Sequence, residues 1–240
     1  MVGLGTYPIY TRLFFHAISI FFLYLGTKMT VIGLTGGISC GKSTVVDIMK
    51  EKGGNAFKII DCDKITHDLY KDDAFVKSVF KTFGKEAVVA ADGKSVDRAK
   101  LGAIVFADKA KRNQLNRMTH GPIFATILKT IFRLRVLQGE PLVVLDAPLL
   151  FESRILEYIC HPIIVVSIEK EETQLKRLME RNKGLKKDEA LSKIKSQMSM
   201  HAKEAKADLV LDNNSSRDDL KTKVSNWLFP EIFRILKLDG

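Results

Sequence analysis

Gly36-Gly37-Ile38-Ser39-Cys40-Gly41-Lys42-Ser43 follows the pattern G-x-x-x-x-G-K-[ST] throughout, a spacing suited to holding a chain of phosphates. Glycines leave no Cβ in the way of backbone N–H groups that converge on an anion. The helix expected to start here adds the partial positive charge of its N-terminus. Lys42 is expected to neutralise terminal phosphates, and the Ser43 hydroxyl to ligate Mg²⁺. Thr44 is counted with the loop as a nucleotide contact. Cys40 occupies a position that asks chiefly for a small side chain, so packing is preferred over a reactive thiol.

Asp61 and Asp63 follow the apolar run Phe57 to Ile60. In an extended chain residues i and i+2 face one side, so both acids are expected to point into a cleft at the carboxyl ends of parallel strands. There they could hold Mg²⁺ or take a proton from an acceptor hydroxyl; the plainer alternative is that Asp63 caps a helix through Ile65 and Leu69. Farther along, Gln174 to Arg181 reads as a helix with Leu175, Leu178 and Met179 inward, which sets Arg177 and Arg181 one turn apart on one face. Two guanidiniums so placed suit a lid that neutralises a transferring group, with Asn182-Lys183-Gly184 as its hinge. The alternative is a solvated basic face balanced by Glu180.

These groups need a scaffold that brings strand ends together. Val31–Thr35, Lys58–Asp61, Leu142–Asp146, Ile163–Ile168 and Leu209–Asp212 are short apolar, β-branched runs alternating with amphipathic stretches, the pattern of parallel strands with crossover helices. The expected fold class is α/β, an open, mostly parallel sheet flanked by helices. Val45, Ile48 and Met49 mark the inner face of a helix after the phosphate loop, ending at Gly53-Gly54. The interval 64–139 is too long for a simple crossover. It carries helical patterns (Leu101, Ile104, Val105; then Ile123, Ile127, Ile131, Leu134), which predicts a helical insert forming a wall for an acceptor substrate. A lid is expected over about 177–203.

The chain has 240 residues, enough for one sizeable domain with an appendage. Its 46% hydrophobic and 28% charged content excludes a disordered, collagen-like or multi-span membrane protein. Cys40, Cys62 and Cys160 form no CxxC pair and read as reduced thiols, with no structural zinc expected. The net charge of +10 suits a polyanionic partner. The lysines are dispersed, with few aromatics among them, so nucleic-acid binding is disfavoured. Residues 1–28 differ from the rest: Leu13 to Leu25 is apolar except for His16 and Ser19, a run of about 13 residues, short of the roughly 20 needed to span a bilayer. Three readings stay open for it: a targeting or anchoring segment, a stretch upstream of a true start at Met29, or a packed helix. The folded unit is taken as 29–240. Its location is expected to be cytoplasmic, or mitochondrial or membrane-associated through residues 1–28.

Taken together these residues resemble the dephospho-CoA kinase family, which catalyses the last step of coenzyme A synthesis. The similarity runs through essentially all of 31–225. It rests on Ile32-Gly33-Leu34-Thr35-Gly36-Gly37-Ile38, Asp61-Cys62-Asp63, Asp97-Arg98, Val105-Phe106, Asp146 to Glu152, Gln174-Leu175-Lys176-Arg177 with Arg181, Gln197, Ala207-Asp208 and Asp212-Asn213. The resemblance implies a P-loop kinase core, a helical CoA-binding insert and a small lid, with ATP and dephospho-CoA as the small-molecule partners. It also implies transfer of the γ-phosphate to the ribose 3′-hydroxyl. Asp63 matches the proposed general base, Asp61 its neighbour, Arg177 and Arg181 the lid arginines, and Asn213 a residue closing the nucleotide pocket near adenine. Arg98 and His120 are carried as acceptor contacts. This chain departs from the family at His67, where Arg is frequent, and at Gly121, which stands between His120 and Pro122.

The expected reaction is therefore ATP- and Mg²⁺-dependent phosphorylation of dephospho-CoA. A nucleoside or nucleotide kinase on the same core is the nearest rival. A nucleotide-binding switch would need an N-K-x-D segment, and Asn182-Lys183-Gly184-Leu185 lacks the acid. A non-catalytic, membrane-attached binding module is the remaining alternative. Oligomeric state is not legible.

Overall fold

The computed structural model describes residues 31–236; the readings made on 1–28 and on Met29 lie outside the described residues. Five parallel strands are present among those residues: β1 (Val31–Gly36), β2 (Phe57–Asp61), β3 (Leu142–Asp146), β4 (Cys160–Ser167) and β5 (Leu209–Asp212). They form one sheet in the order β2-β3-β1-β4-β5. The chain visits one side of β1 through β2 and β3, then crosses to the other through β4 and β5. The carboxyl end of β1 thus lies at the switch point, where an open parallel sheet leaves a crevice for ligands.

All five apolar runs become strands. β4 begins earlier than its apolar run suggests, because Cys160 pairs with Val31 ahead of a register irregularity between Val31 and Gly33. Pro162 within that stretch donates no backbone hydrogen bond, which is why the run reads from the sequence as starting at Ile163.

The helices are α1 (Lys42–Gly53), α2 (Cys62–Leu69), α3 (Asp73–Phe83), α4 (Lys85–Val88), α5 (Arg98–Ala107) and α6 (Lys109–Ile131), then α7 (Glu171–Arg181), α8 (Lys187–Lys195), α9 (Met200–Glu204), α10 (Arg217–Lys223) and α11 (Phe229–Leu236). Helix α1 buries Val45, Val46, Ile48 and Met49 and stops at Gly53, as its periodicity predicts. One face of the sheet packs on α1, α10 and α11 through Leu34, Val144, Ile164, Val166, Leu220 and Ile232. The other packs on α6 and the segment after β3 through Leu145, Val165, Ile127, Ile131, Leu150 and Phe151.

The stretch between β2 and β3 is helical, as expected, and holds a small core of its own: Phe75, Val76, Val79, Val88, Val96 and Leu101. Asp72, Asp97 and Asp108 each accept backbone N–H bonds at the starts of α3, α5 and α6, caps worth about 1 kcal/mol apiece. Pro122 sits within α6. This bundle is tied to the sheet by α2 and the C-terminal half of α6, which pack on each other and on the second sheet face.

Candidate active site

The phosphate loop leaves β1 at Gly36 and enters α1 at Lys42. Gly41 precedes the helix with φ +92°, a conformation that L side chains rarely adopt. A Cβ there would also collide with the Asn213 side-chain amide. Asn213, 6% exposed, follows β5 and donates Nδ2 to the Cys40 carbonyl at 2.8 Å, while its own N–H donates to Ser167 at 2.9 Å. The segment after β5 is therefore a buttress for the loop. Cys40 is buried against Met200, and burial pushes its thiol up to about 11. That environment fits packing rather than thiolate chemistry.

A cleft of about 680 Å³ opens over the loop. Gly37 to Thr44, Asp63, Leu149, Arg177, Arg181, Gln197 and Asn213 are among its lining residues. The tertiary fold thus brings together the loop, one of the two β2 acids, both arginines and Asn213. Arg177 Nη1 donates to the Asn213 carbonyl at 3.2 Å, and Arg181 Nε to Asn182 Oδ1 at 3.3 Å. α7 begins at Glu171 and buries Gln174 and Leu178, whereas Leu175 and Met179 are only half-buried. Its inner face is accordingly more polar than the hydrophobic pattern indicates. Gly184, in the turn from α7 to α8, takes φ +91°.

The two β2 acids are arranged differently from the expectation of a shared extended segment. Asp61 is the last strand residue and Cys62 already opens α2, so Asp63 stands in the first helical turn. The helix cap is Asp61, whose Oδ1 accepts the Lys64 N–H at 2.9 Å, and not Asp63. With the capping bond assigned to Asp61, the Asp63 carboxylate is left to face the cleft.

A third carboxylate had no role assigned from the sequence. Asp146 ends β3 as Asp61 ends β2, and the two are register partners. Asp146 forms an ion pair with Lys42. Burial pushes the Asp146 carboxyl above the usual carboxylate range; Lys42 opposes this, and Asp61 and Asp63 reinforce it. The signal available in the sequence was its position: an acid closing an otherwise apolar strand run, in the manner of Asp61.

Arg98 and His120 are both exposed and do not line this cleft. The Arg98 guanidinium lies over the Tyr70 ring at 5.3 Å, against the small core of the helical segment. A second cavity, about 770 Å³, lies between α2, α3 and α6, with Ile65, Leu69, Phe75, Met118 and Ile123 in its walls and Asp68, Asp72, Ser78 and Thr126 at polar positions.

Among the described residues no group of three or more His, Cys, Asp or Glu is gathered to hold an ion. The oxygen donors at the loop, Ser43 Oγ and the nearby carboxylates, are of the hard type that Mg²⁺ takes when phosphates and water complete its shell. The donor set therefore fits a metal arriving with a nucleotide.

The dephospho-CoA kinase family profile matches residues 30–219. A dephospho-CoA kinase of Carboxydothermus hydrogenoformans is 43% identical over 204 residues, covering 83% of this chain and 95% of the relative. Two solved structures are similar. TT1252 from Thermus thermophilus superposes with a TM-score of 0.69 at 29% identity, covering 84% of this chain and 97% of that one. Dephospho-CoA kinase from Campylobacter jejuni superposes at 0.63 with 32% identity, covering 84% and 96%. With a phosphate loop, an opposed carboxylate and two arginines around one cleft, and with relatives of this identity along most of its length, the chain belongs to the dephospho-CoA kinase family of P-loop phosphotransferases.

Proposed function

We propose that the chain transfers the γ-phosphoryl group of ATP to the ribose 3′-hydroxyl of dephospho-CoA, giving coenzyme A and ADP, with Asp63 as the general base. The observation that carries this reading is that Asp63 lines the same cleft as Lys42, Ser43, Arg177 and Arg181. Asp63 takes the proton of the 3′-hydroxyl as the oxygen–phosphorus bond forms, and the bond to ADP breaks on the opposite side. Phosphoryl transfer asks the protein mostly for positioning and charge neutralisation. The loop N–H groups and Lys42 hold the phosphates, and the two arginines balance the charge on the transferring group. Asn213 holds the loop from behind and closes the nucleotide side of the pocket.

Mg²⁺, bound with ATP, would supply further neutralisation of the phosphate oxygens; Ser43 Oγ and Asp61 would hold it. Asp61 has one carboxylate oxygen committed to the α2 cap and offers the other. Asp146, beside Lys42, is a further oxygen donor at this point.

For the acceptor, the helical segment 64–139 forms the wall. α2 supports this assignment: its first turn carries Asp63 to the phosphate cleft, while Ile65 and Leu69 of the same helix line the 770 Å³ cavity. An arm with an apolar body and amide groups fits a cavity of that mixed lining. Arg98 and His120 line neither the phosphate cleft nor this cavity, so their acceptor role rests on the family resemblance alone. Among the described residues no helix is long and apolar enough to cross a membrane. The proposed location is the cytoplasm, with any organelle or membrane attachment left to residues 1–28.

Turnover of ATP with dephospho-CoA as acceptor, beside a panel of nucleosides and nucleotides, tests the reading. Coenzyme A formed only from dephospho-CoA, and nearly lost in Asp63→Asn, is the expected result. Turnover with a nucleotide instead would overturn the acceptor assignment, and no turnover with any acceptor would overturn the catalytic reading.

A further inference from the structure

The peptide groups of Ile38, inside the phosphate loop, are bonded on both sides by glutamine side chains from distant parts of the chain. Gln174 Nε2 donates to the Ile38 carbonyl at 2.7 Å, and the Ile38 N–H donates to Gln197 Oε1 at 2.9 Å. The orientation of both amides follows from the backbone itself, since a carbonyl demands a donor and an N–H an acceptor. Space at this point is tight. A Cβ on Gly37 would lie 2.7 Å from Gln174 Nε2, 2.9 Å from Met200 Sδ and 3.0 Å from Cys40 Sγ.

Gln174 is 4% exposed and shares α7 with Arg177 and Arg181. Spacings of three and seven residues set all three on one helical face. Rotating α7 about its axis, or sliding it along the loop, cannot move the arginines without breaking the Gln174 bond. Gln197 lies where the chain returns from α8 to the core, and that return is anchored as well. The next residue, Met198, donates its N–H to Glu152 at 2.9 Å. Glu152 pairs at 2.9 Å with Lys203, whose side chain is fully buried. Lys203 also donates to the Pro148 carbonyl at 3.0 Å, which accepts Thr35 Oγ1 at 3.1 Å. Thr35 leads through Gly36 and Gly37 back to Ile38, closing the ring. A buried ion pair is poor evidence of stability, because desolvation offsets the attraction. Its part here is placement.

We propose that Gln174 and Gln197 are positioning residues that lock α7, and with it Arg177 and Arg181, to the phosphate loop through the Ile38 peptide groups, with the Glu152–Lys203 pair holding Gln197 in register. This rests on the reading of α7 as the arginine-bearing lid of a phosphotransferase. In this arrangement an anion seated in the loop and the arginines above it share one rigid frame.

The test is a double-mutant cycle between Gln174→Ala and Arg181→Ala, with Gln197→Ala alongside. Each glutamine variant is expected to lower kcat by about tenfold, the upper range for one hydrogen bond, with KM for ATP nearly unchanged. On an Arg181→Ala background the same substitution should cost clearly less than on the parent, the remaining loss acting through Arg177. Additive losses would overturn the proposal. The Gln→Glu pair separates placement from general destabilisation. Gln197→Glu keeps an acceptor for the Ile38 N–H and should preserve kcat, whereas Gln174→Glu removes the donor and should behave like Gln174→Ala; equal effects would refute it. The added charge beside the phosphates raises KM in both. A second readout needs no acceptor. ATP should slow hydrogen exchange in both the loop and α7 of the parent, and in the loop alone in Gln174→Ala. Retained protection of α7 in that variant would sink the coupling, even if the parent failed to phosphorylate dephospho-CoA, a failure that would count against the functional reading alone.

Discussion

Asp61 and Asp146 stand side by side in register at the carboxyl ends of neighbouring strands, and Asp146 is the one that binds Lys42. The lysine of the phosphate loop is thus held by a protein carboxylate. ATP must compete for it or share it. The carboxyl of Asp146 is pushed up chiefly by burial; Lys42 opposes this, and Asp61 and Asp63 add to it.

Asp63 is the acid left free to face the cleft, because Asp61 takes the capping bond of α2. Asp63→Asn is expected to lower kcat by about 10²–10⁴-fold, the usual contribution of a positioned base. ATP affinity should change little. Steady-state kinetics with a titration of ATP binding checks both parts.

Arg181 lines the phosphate cleft from α7, where its Nε donates to the side chain of the neighbouring Asn182. Arg181→Ala is expected to reduce kcat by roughly 10²-fold, as for loss of one preorganised charge-stabilising donor, with the thermal midpoint unchanged. Unaltered turnover would remove it from the catalytic set.

Gly41 and Gly139 both have positive φ, at +92° and +68°, yet only Gly41 has a neighbour in the path of a Cβ. Gly139→Ala meets open space and should cost about 1–2 kcal/mol of backbone strain, a Tm fall of a few degrees, with ATP binding intact. Gly41→Ala adds a collision with Asn213 and should abolish ATP binding. Adding Asn213→Ala to Gly41→Ala should recover part of the lost Tm, which thermal unfolding of the double variant measures.

Asp92 accepts the Lys94 and Ser95 N–H groups and the Ser95 hydroxyl, and its carboxyl falls from 3.8 to about 2. A depressed folded-state value means that its stabilisation is present above the unfolded value and is lost as pH falls through the folded one. The Tm difference between the parent and Asp92→Ala should therefore shrink to roughly half between pH 5 and pH 3. A gap that stays constant over that range would contradict the assignment.

Cys40, Cys62 and Cys160 are buried free thiols held up at about 11, 12 and 12, chiefly by burial. Iodoacetamide at pH 8 should label them at least ~100-fold more slowly in the folded chain than in urea, since the thiolate is the reacting form. Rapid labelling of Cys40 that is blocked by ATP would instead mark a reactive loop thiol.

Local patterns were sufficient wherever the physics is local. Parallel strands buried on both faces must be apolar throughout, so five runs announced five strands, and the glycine spacing of the loop announced a phosphate cradle with α1 behind it. Helix α1 could be read to its last residue because its buried positions recur at helical spacing and Gly54 follows. The α/β class, the loop with its helix, and the placing of Arg177 and Arg181 one turn apart on one helix were legible in this way.

Other features depend on pairings between residues far apart in the chain, which no local pattern encodes. Asp61 and Asp63 look equivalent in an extended segment; the start of α2 at Cys62 makes one a cap and leaves the other facing the cleft. Gln174 reads as one more polar residue on an amphipathic helix until it is found 2.7 Å from the Ile38 carbonyl, 136 positions earlier in the chain. Lys203 reads as a surface lysine; in the fold it is fully buried, because Glu152 and the Pro148 carbonyl receive it there. The chain itself carried the chemistry and the elements that bear it. Which carboxylate meets Lys42, and which amides grip the loop, was decided only by tertiary packing, since a polar group can enter a buried site only where the fold supplies its partner.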